Sequence, residues 1–303
     1  MSNLLLDLRY ALRTLIKNPL TTGGLVLALA LGIGANTVMF SMLNALLFRA
    51  LPFPDLDRTV SLAEHHPHRG SDRNDVSPGN FLEWRRQARS FEQLTALRWW
   101  EVNLAGGNQP EWTPGAMVSA PFFATLGVSP ALGRAFRPDE ERLESDRVGI
   151  LSHGLWQRRF GADPAVLGRV VQLSGEPYTV VGVAPASFNF PPGVGIWAPL
   201  RLTPKDAQNF DGRSMRVVGR LKPGVSLERA RVEMREIAKR LEREHPDDAG
   251  WSVLVHPVLE DTARFYLPGL TILVIAVVLV LLIACANAAS LMLAQASTRL
   301  REI

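Results

Sequence analysis

The sequence holds one cysteine, Cys285, and three tyrosines among 303 residues. A single thiol cannot build a disulfide framework, so a small stapled scaffold is excluded and cysteine pairing says nothing about compartment. No Gly-x-x-x-x-Gly-Lys-Ser/Thr string occurs, so the chain has no phosphate loop of its own. Charge is missing locally as well: Asn18 to Phe48 and Phe265 to Thr298 contain no Asp, Glu, Lys or Arg. Each stretch runs to about thirty residues, more than the ~20 that carry an α-helix across a bilayer's hydrocarbon core. The mean hydropathy of +0.07 hides this, because it averages two apolar ends with a polar centre.

What is present divides the chain into five parts: residues 1–17, a span over 18–48, a polar segment over 49–264, a second span over 265–298, and a short tail over 299–303. Arg9, Arg13 and Lys17 precede the first span with only Asp7 opposing them, and Arg299 and Arg301 follow the second beside Glu302. Short basic flanks stay in the cytoplasm, whereas long loops cross despite their charge. Both termini are therefore expected in the cytoplasm, with the central segment exported. A cleaved signal peptide ending at Ala28-Leu29-Ala30 is the rival, but apolar sequence continues about eighteen residues beyond it, more than a cleavage site leaves attached. In the first seventeen residues Leu5, Leu8, Leu12 and Leu15 share one helical face and Arg9, Arg13 and Lys17 another, the pattern of a helix lying on the cytoplasmic leaflet. A frayed polar lead-in fits so short a piece equally.

The spans carry packing signals. Gly24, Ala28, Gly32 and Asn36 recur every fourth residue, and Ala284 and Ala288 repeat the spacing with Asn287 between them. Small side chains on one face let another helix approach closely, and an amide in lipid seeks a partner across that contact. Small residues are also simply common in spanning helices. The stripes point to a larger bundle, completed by further spans or a second subunit.

The central segment reads as α+β. Arg147 to Leu151 is a strand, Ser152 caps a helix through Phe160, and Gly161 ends it. Val170 to Leu173 and Tyr178 to Val183 form a hairpin around Ser174-Gly175-Glu176. Met215 to Leu221 is a strand, Lys222-Pro223-Gly224 a turn, and Ser226 caps a helix with Leu227, Ala230, Met234, Ile237 and Leu241 on one face. Trp251 to His256 then completes a βαβ unit. A second unit comprises a strand near Thr59 to Ala63, a helix from Pro78 with Phe81, Trp84, Ala88, Phe91 and Leu94 on one side, and extended chain from Trp99 to Leu104. Two βαβ-like sublobes are expected.

Chemistry is sparse. Glu64-His65-His66-Pro67-His68 holds metal-ligand residue types, but neighbouring histidines in extended chain do not share a face, so a solvated loop is the better reading. Ser152-His153 reads as a helix cap, since a nucleophile and its base must meet through space with a third orienting group. Asp139, Glu140 and Glu141 after Pro138 read as an exposed helix start or loop. No catalytic, cofactor or metal residue is assigned. The net charge of +4 and pI of 9.6 come from scattered arginines, often beside acidic residues, rather than from a basic patch with interleaved aromatics. Nucleic acid is therefore not an expected partner.

Local strings carry a family resemblance. Asp7-Leu8-Arg9-Tyr10-Ala11-Leu12-Arg13, Asn18-Pro19 and Leu27-Ala28-Leu29-Ala30-Leu31-Gly32-Ile33-Gly34-Ala35-Asn36-Thr37 resemble the start of FtsX-like ABC-transporter permeases of the macrolide-exporter (MacB) type. Phe81-Leu82-Glu83-Trp84-Arg85, Phe122-Phe123-Ala124-Thr125-Leu126-Gly127-Val128, Leu151 to Gly161, Gly219 to Val225 and Ile283 to Ala289 continue it through nearly the whole chain. The strings are most similar to duplicated permeases of acidobacteria. The resemblance implies an inner-membrane permease whose periplasmic core domain moves in response to a separate ABC ATPase, with no covalent chemistry of its own and possible use in efflux. Arg299, Arg301 and Glu302 would begin the cytoplasmic connection toward that ATPase. The family continues to further spans and, in the duplicated form, to a second permease half, so the chain is expected to be C-terminally incomplete. A different reading is a scaffold or signalling protein whose periplasmic domain binds or activates a partner protein, such as a cell-wall hydrolase, without moving a substrate.

Overall fold

The structure is a computed structural model that describes residues 54–67, 71–105 and 111–260, together with scattered positions from 30 to 41 and from 269 to 290. The chain forms two compact units, Met1–Ala50 with Thr262–Ile303, and Leu51–Asp261. In the first unit the described positions are helical, and no helix among the described residues is long and apolar enough to cross a membrane. The predicted spans fall largely outside the described residues, and the leading helix over 1–17 and the tail over 299–303 fall wholly outside them.

The second unit is a mixed α+β domain on an 11-stranded sheet. Its first sublobe comprises β1 (Thr59–His66), β2 (Ser71–Asn74), α1 (Pro78–Gln87), the start of β3 (Phe91–Ala105), β10 (Arg216–Leu221), α5 (Leu227–Glu244) and β11 (Ser252–Pro257). These strands lie in the order β11-β1-β10-β3, each antiparallel to its neighbour, with β2 on the far part of β1. Antiparallel neighbours make alternate strands parallel. The two expected βαβ units do not form separate sublobes: they interleave in this one, each with a strand of the other between its own two, the split βαβ arrangement. The strand that closes the β1–α1 unit beside β10 is Phe91–Leu97 rather than Trp99–Leu104.

Local chemistry explains the helices. Ser77 Oγ accepts from Asn80 N at 3.4 Å, and Pro78 supplies a first helical position that needs no N–H. Ser226 Oγ accepts from Arg229 N at 3.3 Å, and α5 then buries Ala230, Met234, Ile237, Ala238 and Leu241 as a stripe stepping by three and four. That stripe packs with Phe81 and Trp84 of α1 and with Val60, Leu62, Val217, Val253 and Val255 of the strands.

One boundary differs from expectation. Helix α1 stops at Gln87, and Phe91 and Leu94, expected on its apolar face, instead open β3. Ala88 N still donates to Trp84 O, but Ala88 is extended, and Glu233 of α5 accepts from the next two amides, Arg89 N at 2.7 Å and Ser90 N at 2.8 Å. A carboxylate from another element thus satisfies the backbone where the helix ends.

The second sublobe is inserted between β3 and β10. It contains β4 (Glu111–Val118), α2 (Phe122–Thr125), β5 (Leu132–Gly133), β6 (Val148–Leu151), α3 (His153–Phe160), β7 (Val170–Leu173), β8 (Glu176–Val183), β9 (Ile196–Pro199) and α4 (Pro204–Ala207). The order β3-β4-β9-β6-β8 closes on itself because β7 pairs with both β8 and β3. Closure removes exposed sheet edges. Val102, Leu104, Leu151, Val171, Leu173, Tyr178, Ile196 and Ala198 form one core, joined by Leu155 of α3. The opposite face, with Leu97, Val118, Ile150 and Trp197, packs on Phe122, Phe123, Phe136, Phe188 and Phe190. The β7–β8 hairpin turns through Ser174 and Gly175, both at positive φ, the two-residue geometry that matches strand twist. Ser152 Oγ accepts from Leu155 N at 3.2 Å, and Gly161 closes α3 at φ 60°.

Candidate functional site

At the far end of β1 the alternation that buries Val60 and Leu62 continues, so Glu64 points inward and is 1% exposed. The expected solvated loop at Glu64-His65-His66 is instead the end of a strand, and His66 is buried as well. His68 lies outside the described residues. Among the described residues no group of His, Cys, Asp or Glu is placed to hold a metal ion.

Glu64 Oε1 accepts from Ser77 N (2.9 Å), Ser77 Oγ (3.0 Å) and Asn80 Nδ2 (3.0 Å), all at the start of α1. Its Oε2 lies 2.6 Å from Arg213 Nε, an ion pair whose N–H is not aimed well enough for a hydrogen bond. Asn80 Nδ2 also donates to Asp248 Oδ1 at 2.8 Å, and Arg213 Nη2 lies 3.4 Å from the same oxygen. The guanidinium sits 3.4 Å from the centroid of Trp251, and His66 meets that indole edge-on at 5.2 Å. Gly250, at φ 77°, leaves room for the His66 ring, which a Cβ there would meet at 2.6 Å. His245 stacks on Phe210 at 3.6 Å.

This clasp joins four pieces of chain: β1, the start of α1, the loop leading back from the second sublobe, and the link between α5 and β11. Burial pushes the Glu64 carboxyl above the usual range, against hydrogen bonds from Ser77 and Asn80 and the attraction of Arg213 that pull it down. Burial raises the Asp248 carboxyl in the same way, opposed by Asn80, Arg213 and His245.

The two sublobes also meet at an open groove of about 440 Å³. Phe81 and Leu82 of α1 and Leu200 and Leu202 give it an apolar lining, and Glu141, Arg142 and Glu144 lie along its rim. Arg85 of α1 reaches across to Glu141 at 3.1 Å, and Glu141 accepts from Ala120 N at 2.7 Å. Glu140, expected to be exposed, is buried and pairs with Arg134 at 2.6 Å. Pro138–Glu141 is a helical turn in which Asp139 is exposed, as expected, while Glu140 is buried and Glu141 half-buried. The helix-packing residues Gly24, Ala28, Gly32, Asn36, Ala284, Asn287 and Ala288, and the tail residues Arg299, Arg301 and Glu302, all lie outside the described residues.

Interleaved βαβ units with a closed sheet inserted between them define an α+β module without an evident catalytic centre among the described residues. The chain belongs to the family of MacB-like periplasmic core domains, which matches it over residues 22–237. It is 33% identical over 81 residues to the macrolide export ATP-binding/permease protein MacB of Burkholderia thailandensis, an alignment covering 26% of this chain and 12% of that protein. Among solved structures it is similar to a domain assigned to a permease protein from Porphyromonas gingivalis, with a TM-score of 0.53 and 21% identity over 68% of this chain and 92% of that one. The periplasmic region of MacB from Actinobacillus actinomycetemcomitans aligns with a TM-score of 0.49 and 15% identity over 70% of this chain and 92% of that one.

Proposed function

We propose that the chain acts as a permease subunit of a MacB/FtsX-like ABC transporter. In this reading residues 18–48 and 265–298 span the inner membrane, and the Leu51–Asp261 unit stands in the periplasm. One observation carries it: the start of β1 pairs with the end of β11, Val60 opposite Pro257, so the chain enters and leaves the unit at neighbouring points. A domain held between two adjacent spans needs that geometry. The charge-free stretches beyond both points and the family membership support it further.

On this reading a separate ABC ATPase acts at the cytoplasmic face, beginning at Arg299, Arg301 and Glu302, and its movement passes through the spans to the periplasmic unit. The small-residue stripes of the spans pack against a second permease half or subunit within the bilayer. The permease itself catalyses no covalent reaction, and its use is efflux. Co-reconstitution of the protein with an ABC ATPase that co-purifies with it tests this. ATP turnover is expected to change when the permease is present and to respond to a cross-link within the periplasmic unit. Turnover indifferent to the permease in a membrane overturns the proposal. Capture of a cell-wall hydrolase with no change in the export of any compound would favour the scaffold role instead.

A further inference from the structure

The clasp at the far end of β1 has an odd charge count. Two carboxyl side chains, Glu64 at 1% and Asp248 at 4% exposure, share one guanidinium, that of Arg213 at 10%. Asp211 also pairs with Arg213, but it is 83% exposed and solvent screens it. Among the described ion pairs both carboxyls face a single guanidinium charge, so their joint ionisation leaves the clasp with excess negative charge, and buried charge that is not fully paired is costly. A single proton removes the excess. Asn80 links the two carboxyls by donating to both from one nitrogen, which favours the ionised form of each but brings no positive charge to offset the excess.

We propose that the clasp carries one exchangeable proton, shared between Glu64 and Asp248, whose gain or loss sets how firmly the 209–215 loop and the 245–251 segment are locked to β1. The proton comes from and returns to bulk water. The first segment is the return path from the second sublobe, and the second leads into β11, the strand by which the chain leaves the unit. The lock thus ties the inserted sublobe to the chain's exit. It stands on side-chain geometry and does not depend on the transport reading.

The facing groups fix the direction of the response. Arg213 and the positive form of His245 favour ionised carboxyls, whereas burial, Glu242 and each carboxyl's effect on the other favour protonation. Burial prevails at both positions. A carboxyl that binds its proton more tightly when folded stabilises the fold as pH falls toward its unfolded value, and that stabilisation is lost as pH rises through the folded one. Glu83, Asp206 and Glu233 have the opposite sign, held low chiefly by Arg86, by Thr203 and by Ser90 respectively, and lose their contribution only in stronger acid. Mild acid therefore tightens the clasp before these groups loosen the rest.

Hydrogen exchange of the intact chain in lipid nanodiscs tests this, measured peptide by peptide from about pH 4.5, where ordinary carboxylates titrate, up to about pH 8 and corrected for intrinsic chemical exchange. Protection of 209–215 and 245–251 is expected to fall several-fold across that range, while the inner turns of α5 keep theirs. Asp248→Asn and Glu64→Gln should each flatten the profile near its acid level, and Asp211→Asn should leave it unchanged. Protection independent of pH in the native chain overturns the proposal. So does a slope that survives in either carboxamide variant that folds.

Discussion

The first sublobe sets a buried clasp of ions at one end of a largely aliphatic core that also holds Phe81 and Trp84, whereas the second packs a cluster of rings against its sheet. Phe122 and Phe123 meet edge-on at 5.4 Å, Phe123 meets Trp197 at 5.6 Å, and Phe188 meets Trp197 at 5.4 Å. The first two pairs are edge-to-face and the third is tilted, and such rings gain from their quadrupoles as well as from burial, neither contribution changing with protonation. The ionic clasp is directional and costly to leave incomplete. One sheet therefore carries an ionic clasp whose cohesion depends on pH beside an aromatic cluster whose cohesion does not.

Arg213→Met breaks the comparison most severely. It strands two buried carboxylates and should destabilise the intact chain by about 4 kcal/mol at pH 8, with a smaller loss at pH 5.5 where the carboxyls can take up protons. Chemical denaturation in detergent at the two pH values measures the difference, and an equal loss at both would count against the ionic account. Phe123→Ala in the second sublobe should cost about 3 kcal/mol through lost burial and the cavity left behind. That loss should be the same at both pH values, and a pH-dependent one would erase the contrast between the sublobes. Ser226→Ala removes the cap of α5 and should cost about 1 kcal/mol, read as earlier thermal melting of helical circular dichroism.

The first sublobe was the more legible in sequence because its signals are local. Ser226 followed by a stripe of three- and four-residue steps specifies α5 without reference to any other strand, and Ser152 and Gly161 frame α3 equally well. The end of α1 was not legible, because Glu233, distant in sequence, receives the amides of Arg89 and Ser90. The closure of the second sublobe rests on β7 meeting β3 at Leu104 and Leu173, a pairing no local pattern announces. The clasp was missed for a different reason. Glu64 continues the inward alternation of Val60 and Leu62, a visible signal, but its charge and the adjacent histidines suggested solvent, while its partners Asn80, Arg213 and Asp248 lie far along the chain. The residues singled out for helix packing lie outside the described part of the structure.

The longest strand has a mechanical consequence. β3 covers 15 residues from Phe91 to Ala105 and belongs to both sublobes without interruption. At about 3.3 Å per residue it forms a strut roughly 50 Å long, so a tilt of about 5° at one end sweeps the other through about 4 Å. A small angular displacement at the β1–β11 end of the sheet would thus be geared up into a stroke at the far rim of the inserted sublobe. The strand runs unbroken between the sublobes, and its hydrogen-bonded neighbours β10 and β4 stiffen it against bending.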